Sequence, residues 1–171
     1  MSFKSILSAL GEEESILALA RPSIQDVCVP ENAHALAIAS YFHLAKLETL
    51  FVVTPTIEEA SNLHADLTSI LDDIRVELFP AWEILPFERV SPTLNTMGQR
   101  IKIAWGLRNS KGPKVVVSPI RATTQIIAPN NEIKPIVVSL NDVIDLQETL
   151  EKLIQMGFRR VAQVENRGEV A

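Results

Sequence analysis

The turn Pro30-Glu31-Asn32-Ala33-His34 is where this sequence comes nearest to an arrangement that could do chemistry. It follows a short apolar run, Val27-Cys28-Val29, that reads as a buried strand, and it precedes an Ala- and Leu-rich stretch that reads as a helix. In an open α/β sheet ligands bind at the carboxyl ends of the strands, so a turn in this position is where a phosphate loop would lie. Such a loop needs glycines for close backbone approach, a lysine for the β and γ phosphates and a serine or threonine for magnesium. This turn has neither glycine nor lysine, and Glu31 puts negative charge where a triphosphate would sit. It therefore has the position of a phosphate loop without its chemistry, and no nucleotide hydrolysis is expected of it.

Other reactive side chains form no recognisable constellation. His34, His43 and His64 fall on predicted helices with no Ser, Cys or Asp arrangement to make them general bases, so they read as surface or half-buried helix residues. Cys28 is the sole cysteine and cannot form an internal disulfide, and three histidines at these positions give no metal-ligand spacing. Glu12, Glu13 and Glu14 read as the solvated start of a helix.

Charge is divided along the chain. Residues 31–90 carry three basic and ten acidic side chains, whereas residues 91–134 carry seven basic and one acidic. Arg100, Lys102 and Arg108 lie in the basic stretch and are the residues expected to face nucleic acid if any do. Solvated helix surface is the plainer reading of the same charges. The loop Phe79-Pro80-Ala81-Trp82-Glu83-Ile84-Leu85-Pro86-Phe87-Glu88 concentrates aromatic residues and prolines, which packing onto the domain, more than docking of a partner, is expected to account for.

The elements that would position these residues follow from periodicity. Phe3, Ile6, Leu7 and Leu10, then 12–20, predict a helical arm over 1–21. Residues 33–47 predict a helix and Leu50 to Val53 a strand. A helix capped by Thr56 and Glu59 comes next, then a strand at Val76 to Leu78 and a helix over Thr93 to Asn109. Lys114 to Ser118 reads as a core strand, and Pro119 opens a short helix through Ile127. Alternating strands and helices predict an α/β domain over 22–131: an open, mostly parallel sheet with helices on both faces. Beyond Pro129-Asn130-Asn131 the order changes, with a strand at Ile136 to Val138, a helix from Asp145 to Met156 stopped by Gly157, and a half-buried strand from Phe158 to Val164. Residues 132–171 are thus expected to begin a second, α+β domain.

The 171 residues are 47% hydrophobic with a net charge of −5, enough to bury a core of one domain and part of another. The longest apolar runs fall far short of the roughly 20 residues that span a bilayer. The N-terminus lacks the features of a secretory signal, so a cytoplasmic location is expected. The six glycines leave 86 residues, 12–97, without one.

Several strings carry a family resemblance. LFPAWEILPFERVSP at 78–92, QRIKIAWGLRN at 99–109 and KVVVSPIRA at 114–122 resemble the N-terminal region of bacterial transcription-repair coupling factors, the Mfd family. That region is itself similar to the first domain of the excision-repair helicase UvrB. LFVVTPTIEEASNLHADL at 50–67 looks like the family's second strand and helix, and LEKLIQMGFRRVAQVENRGEVA at 150–171 looks like the opening of its second domain. The resemblance implies a UvrB-like domain with a degenerate, non-functional phosphate loop at Pro30, Glu31, Asn32, Ala33 and His34. It implies no catalysis and no cofactor here, ATP and magnesium belonging to a remote motor. The partners it implies are UvrA for the second domain, and RNA polymerase and double-stranded DNA for the whole protein, with no membrane. Arg159, Arg160 and Arg167 match the basic residues that contact UvrA in such second domains, although Val170 stands where the family usually has an aromatic. A UvrB-like ATPase or DNA-binding module acting directly on damaged DNA is the alternative.

Overall fold

The computed structural model describes residues 14–19, 26–84, 91–126 and 135–171. Three parallel strands, Thr49–Thr54 (β1), Arg75–Leu78 (β2) and Lys114–Pro119 (β3), form a sheet in the order β1-β3-β2. β3 is buried at every position, as expected of a β-branched strand with a neighbour on each side. In register, Leu50 and Val76 flank Val115, and Val52 and Leu78 flank Val117, so these six side chains share one face.

That face is covered by His34–Leu44 (α2) and Ile57–Ile70 (α3), through Ala35, Ala39, Phe42, Ala60 and Leu67. Alanine at three of these contacts lets the helix backbones approach the sheet closely. Val116 points to the opposite face, where it meets Phe79, Ala81, Ile103 of Leu94–Asn109 (α4) and Ala122 of Ile120–Thr123 (α5). Each fully buried Val or Leu contributes about 1.5–3 kcal/mol. From β1 the chain steps over the place of β3 to β2 by way of α3, then returns to the centre by way of α4 on the other face. Reversing direction while changing face keeps both crossovers of one hand. The structure is thus the expected α/β arrangement, with a small parallel sheet between helices.

Local chemistry sets the helix ends. Thr56 accepts the Glu59 backbone N–H at 3.1 Å, and its hydroxyl donates to the Glu59 carboxylate at 2.9 Å, so a single hydroxyl makes both capping contacts. Thr93 caps α4 by accepting the Thr96 N–H. At the far end of α4, the buried Lys114 ammonium donates to the carbonyls of Gly106 and Ser110 at 3.1 and 2.7 Å, satisfying groups the helix leaves open. Asp145 caps Leu146–Gln155 (α6), and Gly157, at φ 98°, ends it while the Phe158 N–H returns to the Leu153 carbonyl.

Three expected strands differ. Val27 to Val29 is not a strand: Pro30 lacks a donor, its carbonyl accepts the Ala33 N–H at 2.9 Å, and the Val29 carbonyl meets His34 Nε2 at 3.1 Å. The chain therefore turns at once into a 3-10 segment, Glu31–Ala33, leaving Val27 and Cys28 exposed. Ile136 to Val138 is irregular, with Val137 70% exposed and no partner strand among the described residues; an apolar β-branched run needs a neighbour to become a strand. Phe158 to Val164 reduces to Arg159–Arg160 (β4), exposed and paired in parallel with Glu169–Val170 (β5). The expected helix over 12–20 is seen as Glu14–Leu19 (α1), and the one opened by Pro119 is only α5. The start of the N-terminal arm, the end of the aromatic loop and the expected boundary at Pro129-Asn130-Asn131 lie outside the described residues.

Candidate functional site

The turn Pro30-Glu31-Asn32-Ala33-His34 borders a cleft of about 810 Å³ at the carboxyl end of β1, beside the first turns of α3. Its polar lining is Glu31, Glu59, Asp66, Asn32, Asn62 and His34, joined by the Thr54 hydroxyl, which donates to the Thr56 carbonyl at 2.9 Å. Three carboxylates face this space, and no lysine or arginine among the described residues does. The Ala33 N–H, which a phosphate loop would aim at its ligand, is taken by Pro30. These residues do not fit a triphosphate: carboxylates 31, 59 and 66 would repel it, and no cation among the described lining residues would offset them.

The three basic residues expected to face nucleic acid are not brought together. Arg100 is 1% exposed, which corrects the surface role expected of it. Its guanidinium carbon lies over both the Phe79 and the Trp82 rings, 4.4 Å from each centroid, and the group donates to the carbonyls of Pro80 at 2.6 Å and of Ala122 and Gln125 at 3.4 Å. Burial lowers its pKa from the usual value, and carbonyl oxygens and ring faces supply the compensating negative potential. A signal was available in the sequence: Thr96, Arg100, Ile103 and Leu107 recur at helical spacing, which puts Arg100 on the buried stripe. Lys102 is exposed and lies 3.8 Å from the Glu77 carboxylate, which Arg75 also holds at 2.6 Å. Arg108 is exposed in the last turn of α4.

The described part of the aromatic loop packs onto the domain, as the sequence leads one to expect. Phe79 and Ala81 are buried, the Trp82 N–H donates to Gln125 Oε1 at 2.8 Å, and Arg121 donates to the Ile84 carbonyl at 3.1 Å. Glu83 then accepts from the hydroxyls of Thr96 and Thr93 and from the Thr93 N–H at 3.2 Å. These bonds, that from Thr96 foremost, hold its pKa below the ordinary carboxylate value. The sequence reading missed this contact, which draws the two ends of the loop together at the start of α4.

The arginines matched to a partner surface sit at the other end of the chain and are unequally committed. Arg159 pairs with the Glu169 carboxylate, which also accepts the N–H groups of Glu165 and Asn166, each at 3.0 Å. The Glu165 N–H, then Arg159, then the Asn166 N–H lower the Glu169 pKa to about 2. Arg167 donates to Asn95 Oδ1 in the first turn of α4. Next to it, Gly168 adopts φ 84°, and a Cβ there would come within 3.2 Å of Leu94. Arg160 is exposed and makes no side-chain hydrogen bond or ion pair with the described residues.

Fold and site define a small open parallel α/β domain with an acidic cleft at β1 and an arginine-bearing turn resting on one of its helices. The chain matches the N-terminal region of transcription-repair coupling factors. It is 32% identical over 158 residues to the transcription-repair-coupling factor of Mycobacterium tuberculosis, covering 88% of this chain. It is 26% identical to that of Bacillus subtilis over 98% of the chain, and 30% identical to that of Haemophilus influenzae over 82%. The chain spans only 12–14% of the length of these relatives. No family model matches it.

Proposed function

We propose that this chain is a non-catalytic interaction module of a transcription-repair coupling factor, which recruits UvrA and with it nucleotide excision repair to stalled RNA polymerase. The observation that carries the reading is Arg160: a guanidinium left open to solvent on β4 while its neighbour Arg159 is held by Glu169. A planar fork so presented suits two-point pairing with a partner carboxylate. The likeness to coupling factors over nearly the whole chain supports the same reading. In this reading the α/β domain is a UvrB-like layout without a nucleotide, and ATP, magnesium and double-stranded DNA belong to distant parts of the protein. The acidic lining of the cleft supports that assignment. The site of action is the cytoplasm; no helix among the described residues is long and apolar enough to cross a membrane.

The alternative, direct binding of damaged DNA through the 91–134 segment, draws less support. Arg100 and Lys114 are buried and Lys102 lies beside Glu77, which removes much of the charge a phosphate backbone would meet. Calorimetric titration of UvrA with the coupling factor containing this region tests the proposal. Arg160→Ala should weaken binding about ten-fold, as loss of a charge-assisted pair does. Unchanged affinity in that variant would sink it.

A further inference from the structure

The three arginines of the last segment do not stand in equivalent positions. Arg159 and Arg160 are adjacent on β4, a two-residue strand paired with β5, and the Arg159 N–H to Gly168 and the Val161 N–H to Val170 bonds flank that pairing at 2.8 and 2.9 Å. So short a ladder fixes no orientation by itself. Two contacts outside it do: the Glu169 carboxylate, which gathers Arg159 and two backbone N–H groups, and the approach of Arg167-Gly168 to Asn95 and Leu94 on α4. The second contact is the longer reach, joining residues 72 apart in sequence. It ties the arginine-bearing turn to a helix that Glu83 and Arg100 already fix to the α/β domain.

We infer that Arg167 is a positioning residue, which through Asn95 seats the turn on α4 so that Arg160 alone is presented to the acidic partner. This rests on the docking reading above and assigns roles within it: Arg160 meets the partner, Arg159 closes on Glu169, and Arg167 acts through α4. Asn95 and Leu94, on α4 of the α/β domain, become part of the recognition apparatus. The lock against α4 is close. At Gly168 any side chain would be strained by the positive φ and would crowd Leu94.

The test is a double-mutant cycle on the full coupling factor, read by UvrA titration and by amide exchange at Arg159 and Val161. Asn95→Ala and Arg167→Ala should each weaken UvrA binding about three-fold and speed exchange of both amides by a similar factor, with the double variant no worse than either, because they break one shared contact. Asn95→Asp, which keeps an acceptor for Arg167 and adds a favourable charge in the first turn of a helix, should restore both readouts. If Arg167→Ala weakens binding further in the Asn95→Ala background, Arg167 touches the partner and the inference is overturned. It is equally overturned if Asn95→Ala leaves amide exchange unchanged, and this arm needs no partner. A failure of Arg160→Ala to weaken binding would instead count against the docking reading, leaving the exchange result to decide the role of Arg167 separately.

Discussion

The Arg100 guanidinium lies 4.4 Å from the centre of the Trp82 ring, and Phe79 stands at the same distance on its other ring contact. A cation in this setting has lost its water, and no carboxylate pairs with it among the described residues. The carbonyls of Pro80, Ala122 and Gln125 and the two ring faces take the place of both. Arg100 thereby joins the loop after β2, the segment after β3 and α4 at a single point.

Arg100→Ala should therefore destabilise the domain by about 3–5 kcal/mol, because it opens a cavity and leaves buried carbonyls without a donor. Arg100→Lys keeps the charge but cannot reach all three carbonyls while also covering both rings, so an intermediate loss of about 2 kcal/mol is expected. Urea unfolding followed by tryptophan fluorescence measures both. A lysine variant as stable as the parent would show that charge alone, not the planar fork, is what the site requires.

How much of this was legible beforehand differs from element to element. Thr93 to Asn109 and Lys114 to Ser118 could be read nearly to their ends because cap, apolar stripe and β-branched run agree there. Val27 to Val29 and Ile136 to Val138 have strand composition, yet neither becomes a strand, since composition does not say whether a neighbouring edge exists. The cleft could be located from the Pro30 to His34 turn, and its charge from Glu31, whereas Glu59 and Asp66 join it only through the packing of α3. Arg100 reads as a surface residue only if its charge is weighed ahead of its position on the Thr96, Ile103 and Leu107 stripe. The contact of Arg167 with Asn95 has no local sequence signal, as it depends on how distant segments meet.

The turn beside Arg159 and Arg160 should respond to acid. Glu169 titrates at about 2 in the folded chain against an ordinary 4.5, so the folded state favours its charged form. A carboxylate lowered in this way contributes stability in full above its unfolded value, and the contribution is lost as pH falls from about 4.5 towards 2. Exchange of the Arg159 and Val161 amides should accelerate across that window beyond the intrinsic pH dependence of exchange. In Glu169→Gln the acceleration should be present already at neutral pH and change little on acidification. Protection in the parent that persists unaltered to pH 2 would count against this role for Glu169.

The cleft at β1 lies at a carboxyl end of the sheet, where α/β folds bind ligands, yet its charge opposes a nucleotide. A ligand that binds only the folded state raises its stability by RT ln(1 + [L]/Kd), so a site with a Kd of about 10 μM would add about 2.7 kcal/mol at 1 mM. For a domain of this size that is a shift of several degrees. Glu31, Glu59 and Asp66 give the cleft a field opposed to a triphosphate, and magnesium neutralises only part of the ligand's charge. One millimolar magnesium-ATP should therefore leave the melting temperature of this region within about a degree of its value in buffer. Removing the opposing charge in the triple variant Glu31→Gln, Glu59→Gln, Asp66→Asn should still yield no large shift, because the loop would have neither lysine nor glycine to cradle the phosphates. A shift of several degrees in the unaltered chain would overturn the non-nucleotide reading. One confined to the triple variant would show that the three carboxylates alone bar the ligand.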